Sequence, residues 1–146
     1  MYVGGKQEGW TRQAGWKDRG LTLATKVYPY EAGVHKPEIL KKHFKTSMEE
    51  LGADCVDIFY LHAPDHSVPF EETLGAVNEL HQAGKFVNLG LSNFAAWEVA
   101  EVRDSDVSTA CETYTDFVHL HLGLQYLQRA WVGQAYSLPS YVQRNQ

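Results

Sequence analysis

Residues 56–91 read VDIFYLHAPDHSVPFEETLGAVNELHQAGKFVNLGL, and this stretch decides the fold class of the chain. It opens with the apolar run Val56–Leu61 and closes with a second run, Phe86–Leu91. Short runs of β-branched and aromatic residues are typical of strands that are buried on both faces of a sheet. The residues between them follow a helical pattern, so the segment predicts a strand, a helix and a second strand.

The connecting helix carries start and stop signals. Pro69 opens it, where a missing N–H costs nothing, and Glu71 and Glu72 follow in the first turn, where the helix dipole favours negative charge. Gly84 stands just past the end, a position that suits a left-handed residue. The apolar face recurs at helical spacing: Phe70, Leu74, Val77 and either Leu80 or His81.

A second unit of the same kind lies upstream. Leu21–Val27 (LTLATKV) predicts a strand, and Pro37 and Gly52 bound a helix. Its apolar stripe comprises Leu40, Phe44, Met48 and Leu51. The amphipathic segment Glu8–Arg19 precedes this unit. Strand starts at residues 21, 56 and 86 are 35 and 30 residues apart, the length of a βα unit, so the sequence predicts a parallel α/β sheet.

Periodicity leaves two architectures open, an open doubly wound sheet and a closed barrel. No strand is followed by a GxGxxG motif, which weighs against a dinucleotide-binding open sheet. At 146 residues the chain is shorter than the ~200 residues that a complete (β/α)8 barrel needs.

Toward the carboxyl terminus the pattern becomes ambiguous. Asn93 is a good N-cap and predicts a further helix with Trp97 and Ala100 on one side. Residues 118–126 alternate as a strand would, yet an overlapping set fits helical spacing, so both alternatives stay open. That set is Phe117, Leu120, Leu124, Leu127 and Trp131.

Composition and charge exclude several classes of protein. A net charge of −5 predicts no nucleic-acid partner, because such binding requires a basic surface. No run of 18 apolar residues exists and no secretory leader is recognised, which predicts a cytoplasmic protein without membrane partners. The two cysteines, Cys55 and Cys111, form no disulfide framework, and Cys55 is interpreted as a packed, inert thiol.

Candidate functional residues follow the predicted strands, because the carboxyl ends of parallel strands carry the sites of α/β proteins. Lys26 ends the first strand, His62 and Asp65 follow the second, and Ser92 and Asn93 follow the third. An ammonium buried in an apolar strand requires an anionic partner, so Lys26 is either functional or reaches out to solvent. From spacing alone, His62 is either functional or a hydrogen-bonded core histidine.

The remaining histidines form no metal-binding pattern. His119 and His121 stand two residues apart, but the sequence supplies no third ligand of matching context, so no metal is predicted.

Four strings together resemble the aldo/keto reductase family, most closely its aflatoxin-aldehyde reductase-like branch. They are MYVGGKQEGWTR (1–12), LATKVYP (23–29), ELGADCVDIFYLHAPD (50–65) and ETLGAVNELHQAGKFVNLGLSNF (72–94). The resemblance covers about residues 2–102. It implies a partial (β/α)8 TIM barrel, about strands 3–5, over residues 1–102, and an unrelated tail over residues 103–146.

The resemblance also implies an activity, the reduction of aldehydes and ketones by hydride transfer from NADPH. Tyr2 matches the family's proton donor, Lys26 the lysine beside it and His62 the histidine that orients the substrate carbonyl. Ser92 and Asn93 match the pair that binds the nicotinamide carboxamide. The chain offers no position for the aspartate that precedes the family's tyrosine, and its tail lacks the later cofactor-binding strands. The alternative is therefore a non-catalytic, truncated remnant of such an enzyme, with self-association through open sheet edges.

Overall fold

A computed structural model describes residues 2–104 and 119–121. The described chain begins with a 3-10 turn, Tyr2–Gly5, and continues as alternating helices and strands. The helices are α1 (Gln7–Gln13), α2 (Pro37–Leu51), α3 (Phe70–Gln82) and α4 (Ala96–Asp104), and the strands are β1 (Ala24–Val27), β2 (Val56–Leu61), β3 (Phe86–Ser92) and β4 (His119–His121).

The strands form one parallel sheet in the order β1-β2-β3-β4. This confirms the predicted parallel α/β arrangement, in which each described crossover between the first three strands contains a helix. The register places Lys26 beside Tyr60, and Tyr60 beside Gly90. One residue further along, Val27, Leu61 and Leu91 are aligned in the same way, so the three strands end at a common edge.

The predicted strands match β2 at both ends and β3 to within one residue. The prediction for β1 is wrong at its start, because the strand begins at Ala24 rather than at Leu21. Leu21 is 56% exposed and follows Gly20, whose φ of 62° interrupts an extended backbone. The chain enters the sheet only after Leu23, whose backbone N–H donates to the carboxylate of Asp57.

Helix α2 contributes one continuous apolar face to the core. It starts and ends as predicted, and its predicted stripe of Leu40, Phe44, Met48 and Leu51 is buried. Gly52 follows in the left-handed conformation, with a φ of 62°. The ring of Phe44 packs edge-on to Phe59 of β2 at a centroid distance of 4.7 Å, which fixes the helix over the centre of the sheet.

Helix α3 packs against both α2 and β3. Its predicted face is confirmed, with Leu74 and Val77 buried and Phe70 and Leu80 partly buried against the core. Lys41 of α2 and Glu79 of α3 form an ion pair between the two helices at the surface.

The prediction for the start of α4 is wrong. Asn93 does not cap the helix, which begins three residues later at Ala96, and Asn93 has a φ of 59°. The carboxylate of buried Glu98 instead accepts the N–H of Ala95 at 2.6 Å, and its other oxygen contacts His66. A carboxylate in the first turn satisfies an N–H that the helix itself leaves unpaired.

Beyond residue 104 the structure describes only β4, His119–His121, which extends the sheet beside β3. For these three residues the strand alternative is confirmed. The other residues of the predicted strand, and most of the alternative helical set, lie outside the described part of the chain. In residues 2–104 and 119–121, no helix combines the length and apolarity that crossing a bilayer requires.

Candidate functional site

The described candidate residues meet at the carboxyl edge of the sheet. Lys26 lies near the end of β1, His62 directly follows β2, and Ser92 is the last residue of β3. A groove of about 380 Å³ runs along β1 and brings Lys26 and His62 together, with Tyr28 and Tyr60 in its wall. The sequence predicts this meeting of Lys26 and His62, because parallel strands end at one edge.

Lys26 has an exposed side chain. The cost of burying an ammonium, which motivated its selection from the sequence, therefore does not arise in the described structure. Its positive charge nevertheless acts on His62 in the groove. Burial lowers the pKa of His62 most, and the charge of Lys26 is the second cause that lowers it. Lys26 thus provides a cation beside the imidazole without being enclosed.

His62 is a half-buried imidazole with its pKa below the ordinary value of 6.5, first because burial disfavours the charged ring and second because Lys26 is positive. At neutral pH the ring is therefore uncharged. Its Nδ1 is buried and has no hydrogen-bond partner among the described residues, so His62 is not the hydrogen-bonded core histidine that spacing left open.

The isolation of Nδ1 also determines what the ring can do. A buried N–H without an acceptor is rarer in proteins than an acceptor without a donor, which favours the tautomer with the proton on Nε2. An imidazole in this form can donate one hydrogen bond to a carbonyl oxygen.

Ser92 and Asn93 form a connected pair beside His62. The amide nitrogen of Asn93 donates to the backbone oxygen of His62 at 2.7 Å and to Oγ of Ser92 at 3.1 Å. The left-handed backbone of Asn93, which asparagine tolerates better than most residues, turns its side chain back over the strand end. Because Oγ of Ser92 accepts one bond, its own hydrogen can be donated elsewhere, and Oδ1 of Asn93 can accept. One donor and one acceptor side by side are complementary to a primary carboxamide.

Tyr2 belongs to the 3-10 turn Tyr2–Gly5, which directly precedes α1. Gly5, at the end of this turn, lines the groove. The backbone that carries Tyr2 therefore borders the same groove as Lys26 and His62, while the position of its hydroxyl lies outside the described side chains.

Asp65 has a structural role that spacing does not reveal. It is buried, and its two carboxylate oxygens accept the backbone N–H groups of Gly33, His35 and Ser67 and the hydroxyl of Ser67. With its acceptors committed in this way, Asp65 holds the loop after β1 against the loop after β2. Asp65 therefore anchors the two loops that border the site.

Two tyrosines that line the groove, Tyr28 and Tyr60, are not identified as candidate site residues when residues are chosen only by their position at strand ends. Tyr28 follows β1 and packs edge-on to His62 at a centroid distance of 5.1 Å. Tyr60 lies beside Lys26 in the register. The signal was present as two-residue spacing, because Lys26 and Tyr28, like Tyr60 and His62, are two positions apart and so share a face of the sheet.

The prediction for Cys55 as a packed thiol is wrong. Cys55 is exposed and precedes β2, at the amino edge of the sheet and away from the groove. Cys111 lies outside the described residues, as do the side chains of His119 and His121. Within the described residues, no group of three histidine, cysteine or acidic side chains is placed to hold a metal ion.

This arrangement, a parallel α/β sheet with its polar groups at the carboxyl edge, defines an α/β protein with a site at its strand ends. A family model for the aldo/keto reductase family matches residues 2–129. The chain therefore belongs to the aldo/keto reductase family. The match extends past residue 102, where the sequence predicts the related region to end.

Individual relatives agree with the family assignment. The chain is 49% identical over 106 residues to aflatoxin B1 aldehyde reductase member 2 of Mus musculus, covering 70% of this chain and 29% of that protein. It also resembles the solved structure of the thermostable aldo-keto reductase Tm1743 in complex with the inhibitor epalrestat, with a TM-score of 0.64 and 30% identity over 70% of this chain and 37% of that one.

A further solved structure, an aldo/keto reductase from Klebsiella pneumoniae in complex with NADP and acetate, has a TM-score of 0.63 and 28% identity. The likeness covers 72% of this chain and 36% of that one. The chain thus spans about a third of the length of the relatives it matches.

Proposed function

We propose that this chain carries the catalytic groups of an NADPH-dependent oxidoreductase that reduces aldehydes or ketones to alcohols. The observation that carries the proposal is the convergence of Lys26 and His62 on one groove, with the Ser92–Asn93 pair at the adjacent strand end. Membership of the aldo/keto reductase family supports the same reaction.

The residues fit a nicotinamide cofactor. The hydroxyl of Ser92 and Oδ1 of Asn93 offer the donor and the acceptor that a carboxamide requires, and Asn93 is tied to His62, which places the two sets side by side. The Klebsiella pneumoniae structure, which contains NADP, supports the cofactor class. NADPH would supply the hydride, and the chain's own residues would bind, orient and move the proton.

Each catalytic residue has a defined task in this proposal. His62, neutral and protonated on Nε2, donates a hydrogen bond to the substrate carbonyl and fixes its direction. Negative charge then builds on that oxygen and requires a proton. Tyr2 supplies it, although a free phenol titrates near ~10 and is a weak acid at neutral pH. The ammonium of Lys26 stabilises the phenolate and so makes the phenol a stronger acid.

The test is NADPH oxidation by the full chain with 2-carboxybenzaldehyde, followed through nicotinamide absorbance. We expect turnover in the wild type and a loss of about 10²- to 10⁴-fold in Tyr2→Phe and in Lys26→Met, since each removes part of the general acid. Lys17→Met, which removes an exposed lysine that does not line the groove, is the matched control and should keep the wild-type rate. A wild-type rate equal to that of Tyr2→Phe would refute catalysis by this chain.

A non-catalytic member of the family is the second candidate, because the chain matches only 29% of the length of the mouse relative. Titration with NADPH, read out by tryptophan fluorescence, separates the two candidates. Saturable binding that Asn93→Ala weakens supports the enzyme, whereas no binding supports the non-catalytic member.

We further propose residues 1–102 as the catalytic unit, residues 103–146 as a divergent segment, and a cytoplasmic location.

A further inference from the structure

Among the described residues, His62 has no partner for the hydrogen bond that usually orients a functional histidine. In most such residues one ring nitrogen is bonded to a carbonyl or carboxylate, and that bond fixes both the proton's position and the ring's rotation. Here Nδ1 is buried and has no partner among the described residues. The direction in which Nε2 points must therefore be set by packing.

Tyr28 supplies that packing. Its ring lies edge-on to the imidazole, with centroids 5.1 Å apart and planes at 62°, a favourable arrangement for two aromatic rings. The two residues directly follow the aligned pair Val27 and Leu61 on neighbouring strands, so the contact is built into the register. The backbone N–H of His62 also donates to the oxygen of Val27 at 2.9 Å, which ties the strand ends together.

The exposure of Tyr28 indicates a role beyond the core. Its side chain is 44% exposed, and it lines the groove with Lys26 and His62. A large aromatic residue left half in solvent contributes less to burial than one inside the core, yet this one packs edge-on against the imidazole.

We propose that Tyr28 is a positioning residue for His62. The ring of Tyr28 takes the place of the hydrogen bond for which Nδ1 has no partner among the described residues, and it holds Nε2 toward the groove. The inference rests on the proposed function only for the task of Nε2, which is to donate a hydrogen bond to the substrate carbonyl. The contact between Tyr28 and His62 is independent of any reaction. The ring acts by shape and by excluding water from one side of the imidazole.

Two consequences separate this role from a general structural one. Removing the ring admits water to His62, so the pKa of His62 rises from its lowered value toward 6.5. Lys26 remains the charged side chain that opposes protonation, so the rise is incomplete. Replacing Tyr28 by phenylalanine keeps the ring and should leave His62 unchanged.

The experiment is an NMR titration of the histidine ring signals in the full chain and in three variants. Tyr28→Ala should raise the pKa of His62 and shift its ring resonances, whereas Tyr28→Phe should reproduce the wild type. Tyr30→Ala is the matched control, because Tyr30 is 51% exposed and packs edge-on to His43 at 5.8 Å. It should shift the resonances of His43 and leave those of His62 in place.

An unchanged His62 in Tyr28→Ala, or the same change in Tyr28→Phe as in Tyr28→Ala, would overturn the proposal. If Tyr28→Ala does not fold, Tyr28→Leu keeps an apolar side chain without a ring, and the same two criteria apply to it. The titration needs no turnover, so a failure of the proposed reductase activity leaves its outcome intact. Where turnover is present, Tyr28→Ala should lower kcat while Tyr28→Phe should not.

Discussion

The ring of Tyr60 lies against the backbone of Gly90, so closely that a β-carbon on Gly90 would stand 2.3 Å from the ring atoms Cδ1 and Cε1. The two residues are partners in the register of β2 and β3, and Lys26 is the partner of Tyr60 on its other side. The glycine therefore makes room for an aromatic ring in the same row as the lysine. This contact ties the packing of the sheet to the wall of the groove, which Tyr60 lines.

Gly90→Ala should destabilise the protein by about 1–3 kcal/mol, because the added methyl group requires the ring or the strand to move. Urea unfolding measures the loss. Gly75→Ala is the control, since Gly75 lies in α3 with nothing within 4 Å of its added β-carbon, and it should stabilise by up to about 1 kcal/mol. Equal effects at the two positions would show that the Tyr60 contact is unimportant.

The buried His35 should make stability depend on pH. Its pKa lies below the ordinary value of 6.5, chiefly because burial disfavours the charged ring, while Asp65 opposes the shift. Below pH 6.5 the unfolded chain therefore binds a proton that the folded chain does not, and the free energy of unfolding falls as pH falls toward the folded pKa. His35→Leu should flatten this part of the profile. Parallel profiles for the wild type and the variant would contradict the assignment.

Asp65→Asn should loosen the loop that Asp65 holds. Both carboxylate oxygens accept hydrogen bonds, and an amide would set its own N–H₂ against one pair of donors. We expect a loss of about 1–3 kcal/mol at neutral pH in urea unfolding. Asp54→Asn, at an exposed position, is the control and should change little.

The same carboxylate should also make the free energy of unfolding depend on pH in the acidic range, and acid titration can check the direction of this dependence. Burial alone would raise the pKa of Asp65, but hydrogen bonds from Ser67 and His35 outweigh it, and the net pKa is lowered. The stabilisation is therefore present above 3.8 and is lost as pH falls through the folded pKa. Asp65→Asn should lack that acidic loss, and a variant that retains it would identify another carboxylate as the source.

The sequence predicts the elements of this fold better than its contacts. Both ends of β2 and of α2 are predictable because local signals bound them, such as the proline at position 37 and the glycine at position 52. The start of β1 is not, because Leu21 has an apolar side chain that the folded chain leaves in solvent. Whether an apolar residue is covered depends on what packs over it, which a local pattern does not contain.

For the site as well, the sequence predicts the position of residues at strand ends but not the contacts between them. Strand ends predict that Lys26, His62 and Ser92 meet, since the carboxyl edge of a parallel sheet is common to all strands. The role of Tyr60 depends on the register between β2 and β3. The role of Asp65 depends on a contact between two loops, in which Asp65 binds Gly33, a residue 32 positions away along the chain. Neither relationship is contained in a local sequence pattern. The prediction that Asn93 caps the helix is wrong because asparagine favours both helix caps and left-handed turns. Both preferences arise from its short polar side chain, which hydrogen-bonds to nearby groups, so the residue type alone does not distinguish them.

The link between α1 and β1 should control the mobility of the amino-terminal turn that carries Tyr2. The hydroxyl of buried Thr25 donates to the carboxylate of Glu8 at 2.5 Å. Thr25→Val keeps the shape of the side chain and removes this bond. A loss of about 1.4 kcal/mol corresponds to about a tenfold change in an opening equilibrium, so the amides of α1 should exchange about tenfold faster.

Hydrogen exchange read by mass spectrometry resolves that effect, because α1 and the sheet give separate peptides. Thr46→Val is the matched control, since the hydroxyl of Thr46 donates only to Lys42 one turn earlier within α2. It should leave α1 unchanged, and β2 and β3 should exchange at the wild-type rate in both variants. If Thr25→Val accelerates the whole sheet as well, the bond to Glu8 supports global stability rather than the local placement of the turn.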